Sequence, residues 1–297
     1  VIDALEGRFF QAFIALLEEK SFSRAADRLG YVQSTVTTHI QQLERIIGQK
    51  LFHRYPRGVE LTEAGHAFSK YAYQYVHLVE CLSERMKELD QPSGTIRIRT
   101  QESFFLTRML PFVQEYTKNA PAVNLRIEQG TYQDILKGVL DYELDFGIVP
   151  QNPNRQDILF YPLLDETIVF AASEDIARKV RDSGGQILQD QQFISNGTSC
   201  LYHTSAVDVL KNIGIRVKDA LELPSLEMIK QYVSCGKGFA LIPEIAIQNE
   251  LKKGTLQILP FDSKMSFIHG LIVHKNRELN FTAKQFQSEL LSSFVSD

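Results

Sequence analysis

The chain is 297 residues long, 44% hydrophobic and 23% charged, enough for two or three ordinary globular units and too apolar for a disordered chain. A formal net charge of -4 excludes a polyanion-binding surface spread over the whole molecule, so any nucleic-acid footprint has to be local. Cys81, Cys200 and Cys235 lie far apart without a CxxC or His/Cys cluster, which argues against a disulfide framework or a metal site. No apolar run approaches the roughly 18 residues of a membrane span, and the first residues, with Asp3, Glu6 and Arg8, lack a secretory pattern. A soluble, cytoplasmic protein without a membrane partner is therefore expected.

From about Asp3 to Glu19, Leu5, Phe9, Phe13, Leu16 and Leu17 recur at three- and four-residue spacing, which predicts an amphipathic helix. Ser23 is read as the N-cap of a short second helix through Ala25, Ala26 and Leu29, ended by Gly30. The third helix, Gln33 to Ile47, would bury Val36, Ile40, Leu43 and Ile47. It would leave Ser34, Thr37, Thr38, His39, Gln41 and Gln42 mostly outside.

Short polar side chains of this kind suit a major groove, where they hydrogen-bond base edges and threonine methyls meet thymine methyls. Two helices joined by a tight turn make a helix-turn-helix. Leu51 to Leu61 then reads as a two-stranded wing with Pro56 and Gly58 at its tip. Residues 31–58 carry Arg45, Lys50, Arg54 and Arg57 against Glu44 alone, a local +3. The DNA-contacting set is accordingly Gln33, Ser34, Thr35, Thr37, Thr38 and His39, with Arg54 and Arg57 on phosphates or in the minor groove.

The string Ser21-Phe22-Ser23-Arg24-Ala25-Ala26, then Leu29, Gln33-Ser34-Thr35-Val36-Thr37, Ile40, Leu43-Glu44, Gly48, Leu51-Phe52, Arg54 and Leu61-Thr62-Glu63-Ala64-Gly65 resembles the signature of LysR-type transcriptional regulators. It departs from that signature at Val32, where the family usually carries a serine that caps the recognition helix; the cap would fall to Gln33 or Ser34, or be missing.

Residues 66–89 contain no Gly or Pro, and Phe68, Tyr75, Leu82 and Leu89 recur every seven residues, the seam of a dimerising helix. The resemblance implies the same role for this linker. Asp90-Gln91-Pro92-Ser93-Gly94 is a polar breaker cluster and marks a hinge.

Beyond the hinge, strands and helices alternate. Residues 96–99, 123–127 and 144–149 read as strands separated by helices near 104–118 and 132–140, a βαβαβ unit with a parallel sheet. A second set has strands near 168–171, 192–195 and 220–223 with helices near 202–212 and 226–234. The strand 267–273 and a helix over 282–294 return to the first lobe.

The expected fold is therefore α/β. An N-terminal winged helix-turn-helix (1–65) and a linker helix (66–89) precede a hinge (90–94) and a two-lobed effector domain (95–297) like the periplasmic binding proteins. Lobe I covers about 95–164 and 267–297, and lobe II about 165–266. Leu110-Pro111, Gly130, Leu144-Asp145-Phe146-Gly147 and Gly236-Lys237-Gly238-Phe239-Ala240-Leu241-Ile242-Pro243 extend the family resemblance across this domain.

In open α/β sheets ligands gather at the carboxyl ends of strands, where helix N-termini offer free N–H groups. Four such ends carry hydroxyls, and they define the effector-binding set: Gln101, Glu102 and Ser103; Thr131 beside Gly130; Asn196, Gly197, Thr198, Ser199 and Cys200; and Ser225 after Pro224. The donors favour a small organic anion, and Glu102 admits an amino-acid-like metabolite. Peroxide-sensing relatives use a cysteine near Cys200, so redox sensing is one alternative; it requires a low thiol pKa. A stand-alone solute-binding protein is the other.

No G-x-S-x-G, H-E-x-x-H or P-loop is present, so no enzyme, metal or bound cofactor beyond a co-inducer is expected. The expected partners are double-stranded promoter DNA, a small effector, a second copy in a dimer or dimer of dimers, and RNA polymerase for an activator.

Overall fold

The computed structural model describes residues 5–56, 58–86, 92–217, 220–261 and 265–295. Contacts divide the chain into two compact units. One comprises 1–92 with 141–143 and 277–284, and the other 93–140, 144–276 and 285–297.

The first unit opens with α1 (Gly7–Glu19), α2 (Phe22–Leu29) and α3 (Gln33–Ile47). Lys20 ends α1 in the left-handed region, at φ 52°, and Gly30 ends α2 at φ 68°; these two sharp stops fold the three short helices against one another. The cap of α2 is Ser21, whose Oγ accepts from Arg24 N at 3.5 Å, and not Ser23, which lies within the helix and donates to Gln33 Oε1 at 2.9 Å. Ser21 is the residue with the extended backbone a cap requires (φ -151°, ψ 127°).

β1 (Phe52–Tyr55) and β2 (Gly58–Leu61) pair antiparallel as the wing. α4 (Glu63–Met86) follows, starting three residues before the expected linker helix. The core joins Phe9, Phe13 and Leu16 of α1 with Val36, Ile40 and Leu43 of α3, Leu51, Phe52 and Val59 of the wing, and Ala72 of α4.

The second unit carries β3 (Gly94–Thr100), α5 (Glu102–Phe104), a π-turn (Phe105–Met109), α6 (Leu110–Asn119), β4 (Val123–Gln129), α7 (Tyr132–Leu140), β5 (Phe146–Val149) and β6 (Ile158–Ala172). Next come α8 (Glu174–Ser183), β7 (Phe193–Ser195), α9 (Leu201–Asn212), β8 (Leu221–Glu222), α10 (Leu226–Ser234), β9 (Phe239–Pro243), α11 (Gln248–Lys253), β10 (Gln257–Ile258), β11 (Met265–His274) and α12 (Phe281–Val295). The single helix expected over 104–118 is interrupted. Pro111 has no N–H to return to the preceding turn, and the π-turn absorbs the mismatch.

The strands form one sheet in the order β4-β3-β5-β11-β6-β9-β7-β8, with β10 on β6. β3 is parallel to β4 and β5 at one end, and β7 is parallel to β8 and β9 at the other. The 15-residue β6 and the antiparallel β11 run between the two halves and are shared by both. Separate apolar cores lie in the two halves: Ile135, Val139, Leu144 and Ile272 in one, Phe170, Ala206, Leu210 and Phe239 in the other. The early part of β6, strands β9 and β10, and helices α8 and α11 have no counterpart among the expected elements. The early part of β6 mixes exposed and half-buried positions from 159 to 162 and shows no clear alternation, whereas its mostly buried second half contains the expected strand 168–171.

Candidate DNA-reading face and effector cavity

α3 has Val32 at its N-cap position with no side-chain cap bond, and within its first turn Thr35 N donates to Val32 O at 3.0 Å. Gln33, Ser34, Thr38, Gln41, Gln42 and Arg45 are exposed, and Thr35 and Thr37 half-exposed. Thr37 Oγ1 donates to Gln33 O at 3.0 Å and Thr38 Oγ1 to Ser34 O at 2.9 Å. Each hydroxyl proton is thereby returned to the helix, leaving an oxygen that accepts and a methyl that packs.

His39 does not belong to this exposed set. It is only 8% exposed, packed edge-on against Phe9 at 5.6 Å and Tyr31 at 5.7 Å, and burial lowers its pKa below the ordinary histidine value, with the Arg8 charge adding to the effect. Its position on the helix rotates toward α1, which the sequence pattern alone does not separate from the polar face.

On the wing, Arg54 is exposed with its guanidinium 4.8 Å from the Phe22 ring centre, which holds it beside α2. Arg57, at the tip, lies outside the described residues. The wing is fastened to α3 by Glu44, which sequence reasoning counts only as a charge. Glu44 is 4% exposed and accepts from Leu51 N at 3.0 Å, Phe52 N at 3.4 Å and Lys50 Nζ at 2.7 Å.

Along α4 the expected seam divides. Phe68 packs on Phe10 at 5.6 Å and Phe13 at 4.9 Å, against the unit's own core, and Tyr75 stacks on Phe10 at 4.2 Å with one side still exposed. Phe68 is thus half-buried against the core beneath α4. Tyr71, Leu78, Val79 and Leu82 are exposed at 63%, 61%, 46% and 58%, forming with the open side of Tyr75 an apolar stripe at helical spacing. Leu89 lies outside the described residues.

In the second unit a cavity of about 280 Å³ opens at the carboxyl ends of β3, β4, β7 and β8. Of the residues expected there, Gln101, Glu102, Ser103, Thr131, Asn196, Ser199 and Cys200 line it, joined by Asp134, Tyr132, Tyr202, Pro224 and Leu226. Gly197, Thr198 and Ser225 do not line it. The left-handed turn at Gly197, φ 101°, packs that residue inward and carries Thr198 to the surface, and Ser225 Oγ is engaged as the cap of α10, accepting from Met228 N at 3.2 Å.

Two carboxylates hold cavity walls in place. Asp134 accepts from Thr131 N at 3.0 Å and Thr131 Oγ1 at 2.6 Å, and these bonds hold its carboxyl below the usual aspartate value. Glu102 Oε2 accepts from Leu226 N at 2.8 Å, at the start of α10. Thr131-x-x-Asp134 is a capping box legible in the sequence; Tyr202, an aromatic on a helix, left no signal.

Beneath the cavity Tyr202 Oη and His269 Nε2 lie 3.1 Å apart, with His269 stacked on Phe104 at 5.0 Å. His269 sits at the bulge where β11 shifts register against β6, and burial pushes its pKa down to about 4. Arg108, on the π-turn, makes a bidentate pair with buried Glu166 of β6, at 2.8 and 2.9 Å. Cys200 is half-buried, and burial raises its thiol pKa against the opposing effect of the His203 and Tyr202 N–H groups. Among the described residues no His/Cys/Asp/Glu group is placed to hold a metal ion, and no helix is long and apolar enough to cross a membrane.

Comparison with known proteins places these features. The model of bacterial regulatory helix-turn-helix proteins of the lysR family matches residues 8–66, and that of the LysR substrate binding domain matches 89–294. The HTH-type transcriptional regulator GltR of Bacillus subtilis is 29% identical over 92% of this chain and 91% of its own length. CzcR of the same organism is 30% identical over 93% of each chain. Among solved structures, a full-length OxyR variant from Pseudomonas aeruginosa superposes with a TM-score of 0.74 at 19% identity, covering 97% of each chain. Full-length LysG of Corynebacterium glutamicum with bound effector Arg gives a TM-score of 0.68 at 14% identity, over 98% of this chain and 99% of that one. At these identities the two structures establish the fold alone.

Proposed function

The chain belongs to the LysR family of bacterial helix-turn-helix regulators, and from that premise we propose how its own residues perform the family's task of DNA-binding transcriptional regulation through an effector-binding domain. α3 is the reading helix. Gln33, Ser34, Thr35, Thr37 and Thr38 meet base edges, while the uncapped N-terminus of α3 and the guanidinium of Arg54, with Arg57 close to it in sequence, meet phosphates. Because Thr37 and Thr38 already donate to their own helix, they suit base amino groups as acceptors and thymine as a methyl surface. The observation that carries this reading is the exposed, almost uncharged face of α3 next to a clamped wing.

The exposed stripe Tyr71, Tyr75, Leu78 and Leu82 is the face through which α4 pairs with a second copy. The cavity in the second unit takes the effector, and RNA polymerase is the further partner of an activator. The protein works in the cytoplasm as a regulator and not as an enzyme. Redox sensing through Cys200 gains no support, because the thiol is pushed up and a sensor needs it low.

The test is a pair of variants measured on the bound DNA at several salt concentrations. Thr38→Ala should relax preference at particular base pairs at a cost of about 1–3 kcal/mol, with the salt slope unchanged. Arg54→Ala should weaken every sequence alike and flatten the slope by about one counterion. Equal, sequence-independent losses in both variants would reject the assignment.

A further inference from the structure

We propose that Ser23 is a positioning residue for base reading: it holds the Gln33 amide with its oxygen turned back onto α2 and its NH2 group turned outward, so that this position selects guanine. The inference rests on reading α3 as the DNA-reading helix, and goes on to which base edge one of its side chains recognises.

Ser23 and Gln33 are ten residues apart and stand on either side of the turn that joins α2 to α3. Ser23 is the second residue of α2, beyond its cap at Ser21, and Gln33 is the first of α3. Both are exposed, and the Ser23 hydroxyl donates to Gln33 Oε1 at 2.9 Å. A hydroxyl can serve either end of an amide, donating to the oxygen or accepting from the nitrogen. Here two helix starts meet at the pair, and the positive potential of both favours the amide oxygen over the NH2 group on the side that faces them. Val32, in the cap position of α3, brings no side-chain oxygen of its own to that start.

This orientation limits what Gln33 can read. A glutamine recognises adenine by pointing Oε1 and Nε2 at the base together, one accepting from N6 and the other donating to N7. With Oε1 turned back onto Ser23, the amide cannot present both atoms to one base, and the group facing the groove is an NH2 with two donors. Guanine places two acceptors, N7 and O6, side by side on its major-groove edge, whereas adenine sets its own amino group beside N7 and opposes a second donor. One turn along the same helix the polarity reverses. Thr37 and Thr38 return their hydroxyl protons to Gln33 O and Ser34 O, and so present acceptors.

The experiment selects binding sites from a random DNA library with the full-length protein, and uses Gln33→Ala to mark the base pair whose preference Gln33 sets. That pair should be G·C, favoured over A·T by about tenfold, and 7-deazaguanine at that place, which lacks the N7 acceptor, should weaken binding severalfold. Ser23→Ala frees Oε1, so adenine should gain and the guanine preference should fall by roughly tenfold, with melting temperature and salt slope unchanged. Ser23→Thr keeps the hydroxyl and should keep the preference. The proposal is rejected if the Gln33-dependent pair is A·T, if 7-deazaguanine binds as well as guanine, or if Ser23→Ala leaves the base preference as it was. It also falls if Gln33→Ala changes no preference while Thr38→Ala does; if neither variant changes one, the reading of α3 falls with it.

Discussion

Replacing Glu44 by Ala should unfasten the wing from the reading helix. The carboxylate is 4% exposed and accepts from two backbone N–H groups, Leu51 N at 3.0 Å and Phe52 N at 3.4 Å, in the stretch where the chain leaves α3 and enters β1. Leu51 and Phe52 are themselves 0% and 4% exposed, so water cannot replace the lost acceptor without opening the core. A buried donor left unsatisfied costs about 1–3 kcal/mol. Taking the lower part of that range for each bond, because the longer one is weak, the head should lose roughly 2–4 kcal/mol. Loss of the Lys50 pair adds little, since that lysine is mostly exposed.

Glu44→Gln retains one acceptor oxygen and should cost less than half as much. The assay is denaturant unfolding of the full-length protein followed on the first transition, with amide exchange at Leu51 and Phe52 as the local readout. Faster exchange at those two amides together with weaker DNA binding is expected for Glu44→Ala. Stability within about 0.5 kcal/mol of the parent, or unchanged exchange, would refute the clamp.

Leu82→Glu, at a 58% exposed position, should leave folding intact and shift sedimentation toward monomers, whereas Phe68→Ala should cost about 3 kcal/mol of head stability without changing the oligomer; the reverse pattern would relocate the seam. His269 titrates at about 4 in the fold against an ordinary 6.5, so between those values the unfolded chain binds the extra proton and stability falls as pH falls. That displacement corresponds to roughly 3 kcal/mol, and unfolding of the second unit should be correspondingly flatter over pH 6.5 to 4 in His269→Gln; parallel profiles would remove His269 as the cause.

Periodicity made the head legible. Val36, Ile40 and Leu43 turn inward as their spacing predicts, and the bounds of α3 follow directly from Gln33 and Gly48. What periodicity could not resolve was competition at helix edges. His39 is polar by type but lies where α3 rotates toward Phe9, and Phe68 fits a heptad while serving the core beneath it. In the second unit the buried end of β6 was legible as the strand at 168–171, and its early part was not, because exposed and half-buried positions from 159 to 162 break the period-two signature. Cavity residues near glycine and hydroxyl signals at strand ends were readable. The role of Glu102 in closing a helix start, and that of Tyr202 over His269, depend on how the folded chain brings groups together; their partners are far apart in sequence and had no local mark.

Nuclease footprinting of the full-length protein on the intergenic DNA beside its own gene, with and without a compound found to raise its melting temperature in a metabolite screen, tests regulation by effector most directly. The account predicts a sequence-specific, salt-sensitive footprint whose extent changes when that compound is added, and a Ser199→Trp protein that gives the ligand-free footprint under both conditions. A footprint that is indifferent to sequence, or one that the stabilising compound leaves unaltered, would contradict it.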